Sequence, residues 1–228
     1  MPPAELIARL EPVRSRGELG TLSLPEVEHE VARVLALGDG ELRALMKDVW
    51  TEYLGVLNDR LAGYFASLRP RYRTAILSNS FVGAREREQA AYGFAEICDV
   101  IVYSHEEGVK KPDERVYGIL CHRLGVRADE TLFLDDARAC VEGARDAGMT
   151  AIQFRENDQA IAELDARLGL APWGLDSSIN QAAGLSRSRG SGWGPHRSVK
   201  RNWPTSTEPS WIGLSHESVS RPSPPSGW

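Results

Sequence analysis

The sequence predicts an α/β fold, a parallel sheet with crossover helices behind an all-helical leading segment. Three observations carry that expectation. Apolar residues recur at helical spacing through residues 4–68. From about residue 70, short apolar or β-branched runs alternate with helical stretches. Strands separated by helices must return to the same end of the sheet, which makes the strands parallel.

The leading segment divides into helices by its caps. Ser23 and Glu26 form a capping box opening SLPEVEHEVARVLAL, whose Val27, Val31, Val34 and Leu35 share one face. Asp39 is placed to cap the next helix, with Leu42, Leu45, Met46 and Val49 at helical spacing. LNDRLAGYFASL turns Leu57, Leu61, Tyr64 and Leu68 inward, and Pro70 ends the segment. Four strands are then expected in RTAILSN, DVIVYS, TLFLDD and MTAIQF. Helices fall between them at GAREREQAAYGF, at ERVYGILCHRL closed by Gly125 and at RACVEGARDA closed by Gly148; a last helix, DQAIAELDARL, ends at Gly169.

Three regions follow: helical 1–69, an α/β core at 70–170, and a tail at 171–228. The tail is rich in Ser, Gly, Pro and Arg without apolar periodicity, so it is expected to be disordered. It holds five of the six tryptophans, which suits either a segment read out of frame or an interaction segment. Its charge is +3, against −8 for the rest, and an acidic body argues against nucleic acid as the main partner. Cys98, Cys121 and Cys140 form no C-x-x-C and read as buried thiols in a reducing cytoplasm. The first residues carry scattered charges, unlike a signal peptide, and no apolar run approaches the ~20 residues of a membrane span.

Ligands of parallel α/β sheets bind beyond the carboxyl ends of the strands, and chemistry-bearing residues gather there. Ser78 and Asn79 close the first expected strand, where a hydroxyl, an amide and free backbone N–H groups suit either an anion or a helix cap. Lys111, held extended by Pro112, suits either a phosphate or a carboxylate partner, or plain solvent; Lys110 is the weaker candidate. Asp113 can cap the helix after it. Asp135 and Asp136 end the third strand side by side. Such a pair needs a cation, Lys111 or a divalent ion, unless Asp136 serves as a helix cap; hard oxygen donors favour Mg²⁺ over zinc. Glu106 and Glu107 read as solvated acids.

Together these motifs are more specific than any one alone. Ser-Asn, then Gly-x-x-Lys-Pro-Asp, then Leu-Asp-Asp before an Ala/Gly-rich helix resembles motifs II, III and IV of the haloacid dehalogenase-like (HAD) hydrolases. The resemblance covers roughly 5–170 and implies a Rossmann-like core with a helical cap. It further implies phosphoryl transfer to an aspartate and hydrolysis of the aspartyl-phosphate by water. By that likeness Ser78 and Asn79 bind the phosphoryl group of a small phosphorylated molecule, Lys111 steadies its charge and the nucleophile, and Asp135 and Asp136 hold Mg²⁺. Lys111 and Asp135 are thus the expected catalytic residues. The acid pair favours a phosphatase over a dehalogenase. In the receiver domains of two-component signalling the acid pair precedes Lys-Pro, which excludes that alternative.

One motif of the resemblance has no counterpart. The nucleophile's Asp-x-Asp-x-Thr/Val does not occur in this sequence. Its strand would lie mid-sheet, between those of Ser78 and Asp135, so the expectation is a gap there that leaves strand edges unpaired. The chain is accordingly expected to lack turnover. It would be a fragment from a misplaced start, a catalytically dead phosphate- and metal-binding protein, or a protein-interaction module.

Overall fold

The computed structural model describes residues 3–173 and, as backbone, 213–216. Four helices lead: α1 (Pro3–Glu18), α2 (Leu24–Leu35), α3 (Asp39–Leu54) and α4 (Asp59–Ser67). The α/β region follows as β1 (Tyr72–Ser78), α5 (Ala84–Tyr92), α6 (Phe94–Ile97), β2 (Val100–Tyr103), α7 (Ser104–Glu107), α8 (Glu114–Leu124), β3 (Thr131–Asp135), α9 (Arg138–Asp146), β4 (Thr150–Gln153) and α10 (Asn157–Leu168). The last described element is β5 (Gly213–His216). No helix among the described residues is long and apolar enough to cross a membrane.

Local chemistry sets the helix ends. The Ser23 backbone N–H donates to Glu26 Oε2 at 2.7 Å, the glutamate half of the capping box, and the Ser23 hydroxyl donates to the same oxygen at 2.7 Å. At α3 the cap is Gly38 rather than Asp39: its N–H donates to Glu41 Oε2 at 2.9 Å, and Asp39 is the first helical residue. The buried face of α3 is also rotated from the expected one. Met46 and Trp50 are buried while Val49 is 42% exposed, because the larger indole takes the contact with α5. Asp113 does cap α8, accepting from the Arg115 N–H at 3.0 Å, and Gly125 closes that helix in the left-handed region.

Strand order is β2-β1-β5-β3-β4. β1 pairs parallel with β2, and β3 parallel with β4. Side chains alternate across the sheet, so Ile76, Leu132, Leu134 and Ile152 pack against α4 and α10 on one face. Ala75, Leu77, Phe133 and Ala151 pack against α8 and α9 on the other. A sheet covered on both faces explains why these strands read as continuous apolar runs. Helix α4 turns Leu61, Tyr64 and Phe65 into this core cluster, although its sequence groups it with the leading helices. Helices α1–α3 instead dock on the loop after β1, through Phe81 and Val82, and on the start of α5, through Ala84.

The place between β1 and β3, expected to be a gap, holds β5. That strand comes from the tail expected to be disordered, most of which lies outside the described residues. It runs antiparallel to both neighbours, pairing Tyr72–Ala75 of β1 and Thr131–Phe133 of β3. The last rungs, Ile76–Ser78 and Leu134–Asp135, lie beyond its register. Trp173, also in the expected tail, packs edge-on against Tyr64 at 5.7 Å between ring centroids.

Candidate active site

The rungs beyond β5 are where the polar residues converge. Lys111 stands on the loop between α7 and α8, its peptide to Pro112 is cis, and its side chain is wholly buried. Its ammonium donates to the Leu77 carbonyl on β1 at 2.7 Å and to Asp135 Oδ2 on β3 at 2.8 Å. One side chain therefore spans the two strands at their carboxyl ends. An ammonium has three N–H donors, so a third remains for another acceptor.

Asp135 is held from both sides. Oδ2 accepts from Lys111, and Oδ1 accepts from the Ala137 N–H at 2.9 Å. Burial pushes its carboxyl above the usual range, against the downward pull of the Lys111 ammonium and the Ala137 amide. Asp136 is exposed and does not cap α9, whose capping position is Ala137. The adjacent acids are thus differentiated: one neutralised inside, one open to solvent.

Ser78, on the last residue of β1, is buried, and its hydroxyl is without a hydrogen-bond partner. Among the described residues only the Trp50 indole N–H shares that condition. A buried unpaired hydroxyl costs about 1–3 kcal/mol, and this one lies next to the carbonyl that anchors Lys111. Asn79 points elsewhere. Its Oδ1 accepts from the Lys111 N–H at 2.8 Å, and its Nδ2 donates to the Lys111 carbonyl at 2.9 Å. The structure thus brings Ser78, Asn79, Lys111 and Asp135 together and leaves Asp136 at the rim.

A divalent cation fits this donor set in a restricted way. Asp136 offers a free carboxylate, and Asp135 keeps lone pairs beside those already used. Mg²⁺ commonly takes one or two carboxylates and completes its shell with water and substrate phosphate. Among the described residues no group of three or more His, Cys, Asp or Glu could hold a metal without such help.

Sequence reasoning missed the junction that seats α1 against the site. The Ser104 hydroxyl donates to the Glu18 carbonyl at 2.8 Å, the Ser80 N–H donates to Ser104 Oγ at 2.9 Å, and Ser80 Oγ lies 2.7 Å from His105 Nδ1. Burial holds the His105 imidazole below its ordinary range. Lys110 pairs with Glu18 at 2.5 Å, tying the loop of Lys111 to α1. The acids read as solvated are paired as well, Glu106 with Arg85 and Glu107 with Arg123. A second cross-link joins α3 to the core: Tyr53 and Tyr103 both donate to the buried Glu88 carboxylate, at 3.1 and 2.6 Å. Nothing in the local sequence announces partners 35 residues apart. The three cysteines are buried, and burial pushes the Cys140 thiol up to about 11 and Cys98 to about 12, as expected of inert thiols.

Comparison with known proteins bears on the fold and the family. Phosphatase MT3486 of Mycobacterium tuberculosis is 32% identical over 133 residues, which is 58% of this chain and 61% of that protein. The chain therefore spans less than two thirds of that relative. A HAD family enzyme of Bacteroides thetaiotaomicron superimposes with a TM-score of 0.61 at 16% identity, covering 71% of this chain and 81% of that one. In a complex with magnesium and inorganic phosphate the same enzyme gives 0.55 at 15% identity, covering 69% and 89%. Those likenesses concern the fold. The family model for haloacid dehalogenase-like hydrolases matches residues 13–148, from α1 through β1, the Lys111 loop and the acid pair, and the chain belongs to that family.

Proposed function

We propose that this chain binds the phosphoryl group of a small phosphorylated molecule at the carboxyl ends of β1 and β3, with Mg²⁺. The observation that carries the reading is the buried, unpartnered Ser78 hydroxyl, one residue past the Leu77 carbonyl that receives the Lys111 ammonium. Ser78 donates to a phosphoryl oxygen, and the third N–H of Lys111 neutralises its charge. Asp136, with Asp135 behind it, holds the metal, which when bound supplies further screening of phosphate charge. Helices α1–α3 are the cap that covers the substrate. The M. tuberculosis phosphatase and the magnesium–phosphate complex of the Bacteroides enzyme support this assignment.

Family chemistry is Mg²⁺-dependent hydrolysis of a phosphoric ester through an aspartyl-phosphate. This sequence has no Asp-x-Asp, so the reading for the polypeptide itself is binding without turnover. Titration calorimetry with inorganic phosphate and Mg²⁺ tests the first half: heat is expected, and its absence overturns the site. Assay with p-nitrophenyl phosphate and Mg²⁺ tests the second. Clear turnover that disappears in Asp135→Ala overturns the inactivity.

A further inference from the structure

Ser78, the last residue of β1, and Asn79, the first beyond it, divide their labour. Ser78 keeps its hydroxyl free, whereas both heteroatoms of the Asn79 amide are committed to one residue's backbone, 32 positions away. The Lys111 N–H can only donate and its carbonyl can only accept, so the two bonds fix the amide orientation as well as the loop. The pairing imitates a strand rung, with a side-chain amide in place of a peptide.

Lys111 is consequently held at both ends. Asn79 clamps the backbone, while Leu77 and Asp135 clamp the ammonium through a side chain with no solvent exposure. The loop has other ties, the Gly108 N–H donating to the Ser104 carbonyl at 2.9 Å, the Asp113 N–H donating to the Lys110 carbonyl at 3.0 Å, and the Lys110–Glu18 pair to α1, but none of these bonds joins it to the end of β1. Asn79 supplies that link. We infer that Asn79 is a positioning residue for Lys111, acting on bound phosphate through the lysine and not by contact of its own side chain. The inference rests on the phosphate-site reading for its functional consequence, but not for the clamp itself.

Acetylation with acetic anhydride, read by mass spectrometry as Lys111 relative to exposed Lys47, reports on the clamp with no ligand present. Wild type is expected to be protected at Lys111. Asn79→Ala should raise the ratio about tenfold, the equivalent of ~1.4 kcal/mol in opening of the loop, and weaken inorganic phosphate by a similar factor in calorimetry. Asn79→Asp keeps an acceptor for the Lys111 N–H and loses the donor, so it should fall between, and it serves if the alanine variant does not fold. Weaker phosphate binding with Lys111 still protected in a folded variant would mean direct contact and would overturn the inference. Unchanged protection and unchanged affinity overturn it too. If wild type binds no phosphate, the functional reading fails alone, and the acetylation ratio still decides Asn79.

Discussion

Lys111 Nζ lies 2.8 Å from Asp135 Oδ2, and neither side chain retains solvent exposure. Two charges are thus stored inside the protein at the carboxyl edge of its sheet, each the condition for the other. Removing water from both ions is costly, and their attraction offsets the loss only while both are present. The arrangement is therefore weak as a source of stability, and it fixes a cation at the edge where the phosphate site is proposed.

Lys111→Met should accordingly destabilise by about 3 kcal/mol, because it leaves the Asp135 carboxylate buried and unpaired. Lys111→Met with Asp135→Asn removes both charges and should cost clearly less than the two single changes summed. Urea unfolding of the four proteins measures the coupling. Additivity within about 0.5 kcal/mol would show that the two groups do not sense each other.

Ser78→Ala should behave in the opposite sense. Its hydroxyl is buried and satisfies no protein group, so deleting it should leave stability unchanged or raise it by about 1 kcal/mol. Phosphate affinity should nevertheless fall about tenfold, the equivalent of ~1.4 kcal/mol. Stability given up at one atom in exchange for binding is the expected signature of a site. A stability loss above about 1 kcal/mol would reveal an internal partner for the hydroxyl and end the argument.

These two sites also show what the sequence made legible. Ser78, Lys111 and Asp135 could be placed because strand ends, Lys-Pro and paired acids are local signals, and the α/β topology fixes which edge they share. The Asn79 clamp was invisible, since its partner is a backbone group 32 residues away and backbone groups have no letter in the sequence. Trp50 was passed over for Val49 because spacing alone does not tell which of two adjacent apolar residues faces a neighbour. Strand β5 was missed for another reason. Its Gly-Leu-Ser-His has little apolar character, so only its two neighbours, with edges to be paired, make it a strand.

Glu88 gives a pH signature. Burial raises its carboxyl above the ordinary range, against the pull of the Tyr103 and Tyr53 hydroxyls. A raised acid favours the protonated native state, so its contribution is fully present below the unfolded glutamate value of about 4.3 and is lost as pH climbs through the native one. At neutral pH the ionised carboxylate is a cost. Glu88→Gln keeps an acceptor for one tyrosine and should gain Tm relative to wild type as pH rises from about 4.3 toward neutrality. A difference in Tm that is flat across that window contradicts the assignment.

The last expectation concerns the junction that seats the leading helices, and it has an internal control. Gly20 has φ +65°, and a Cβ there would stand 1.8 Å from the His105 carbonyl oxygen. Backbone cannot yield as a flexible side chain does, so Gly20→Ala must shift α1 away from α7 and strain the Ser104–Glu18 bond. A loss of about 2 kcal/mol or more is expected. Gly118 sits on the exposed side of α8 with nothing within 4 Å of its added Cβ. There the same methyl group only restricts the unfolded chain, and Gly118→Ala should gain about 0.5–1 kcal/mol. Thermal melts of the two variants should move in opposite directions from wild type. If they move together, the end of α1 does not rest on the His105 carbonyl, and the seating of the leading helices needs a different anchor.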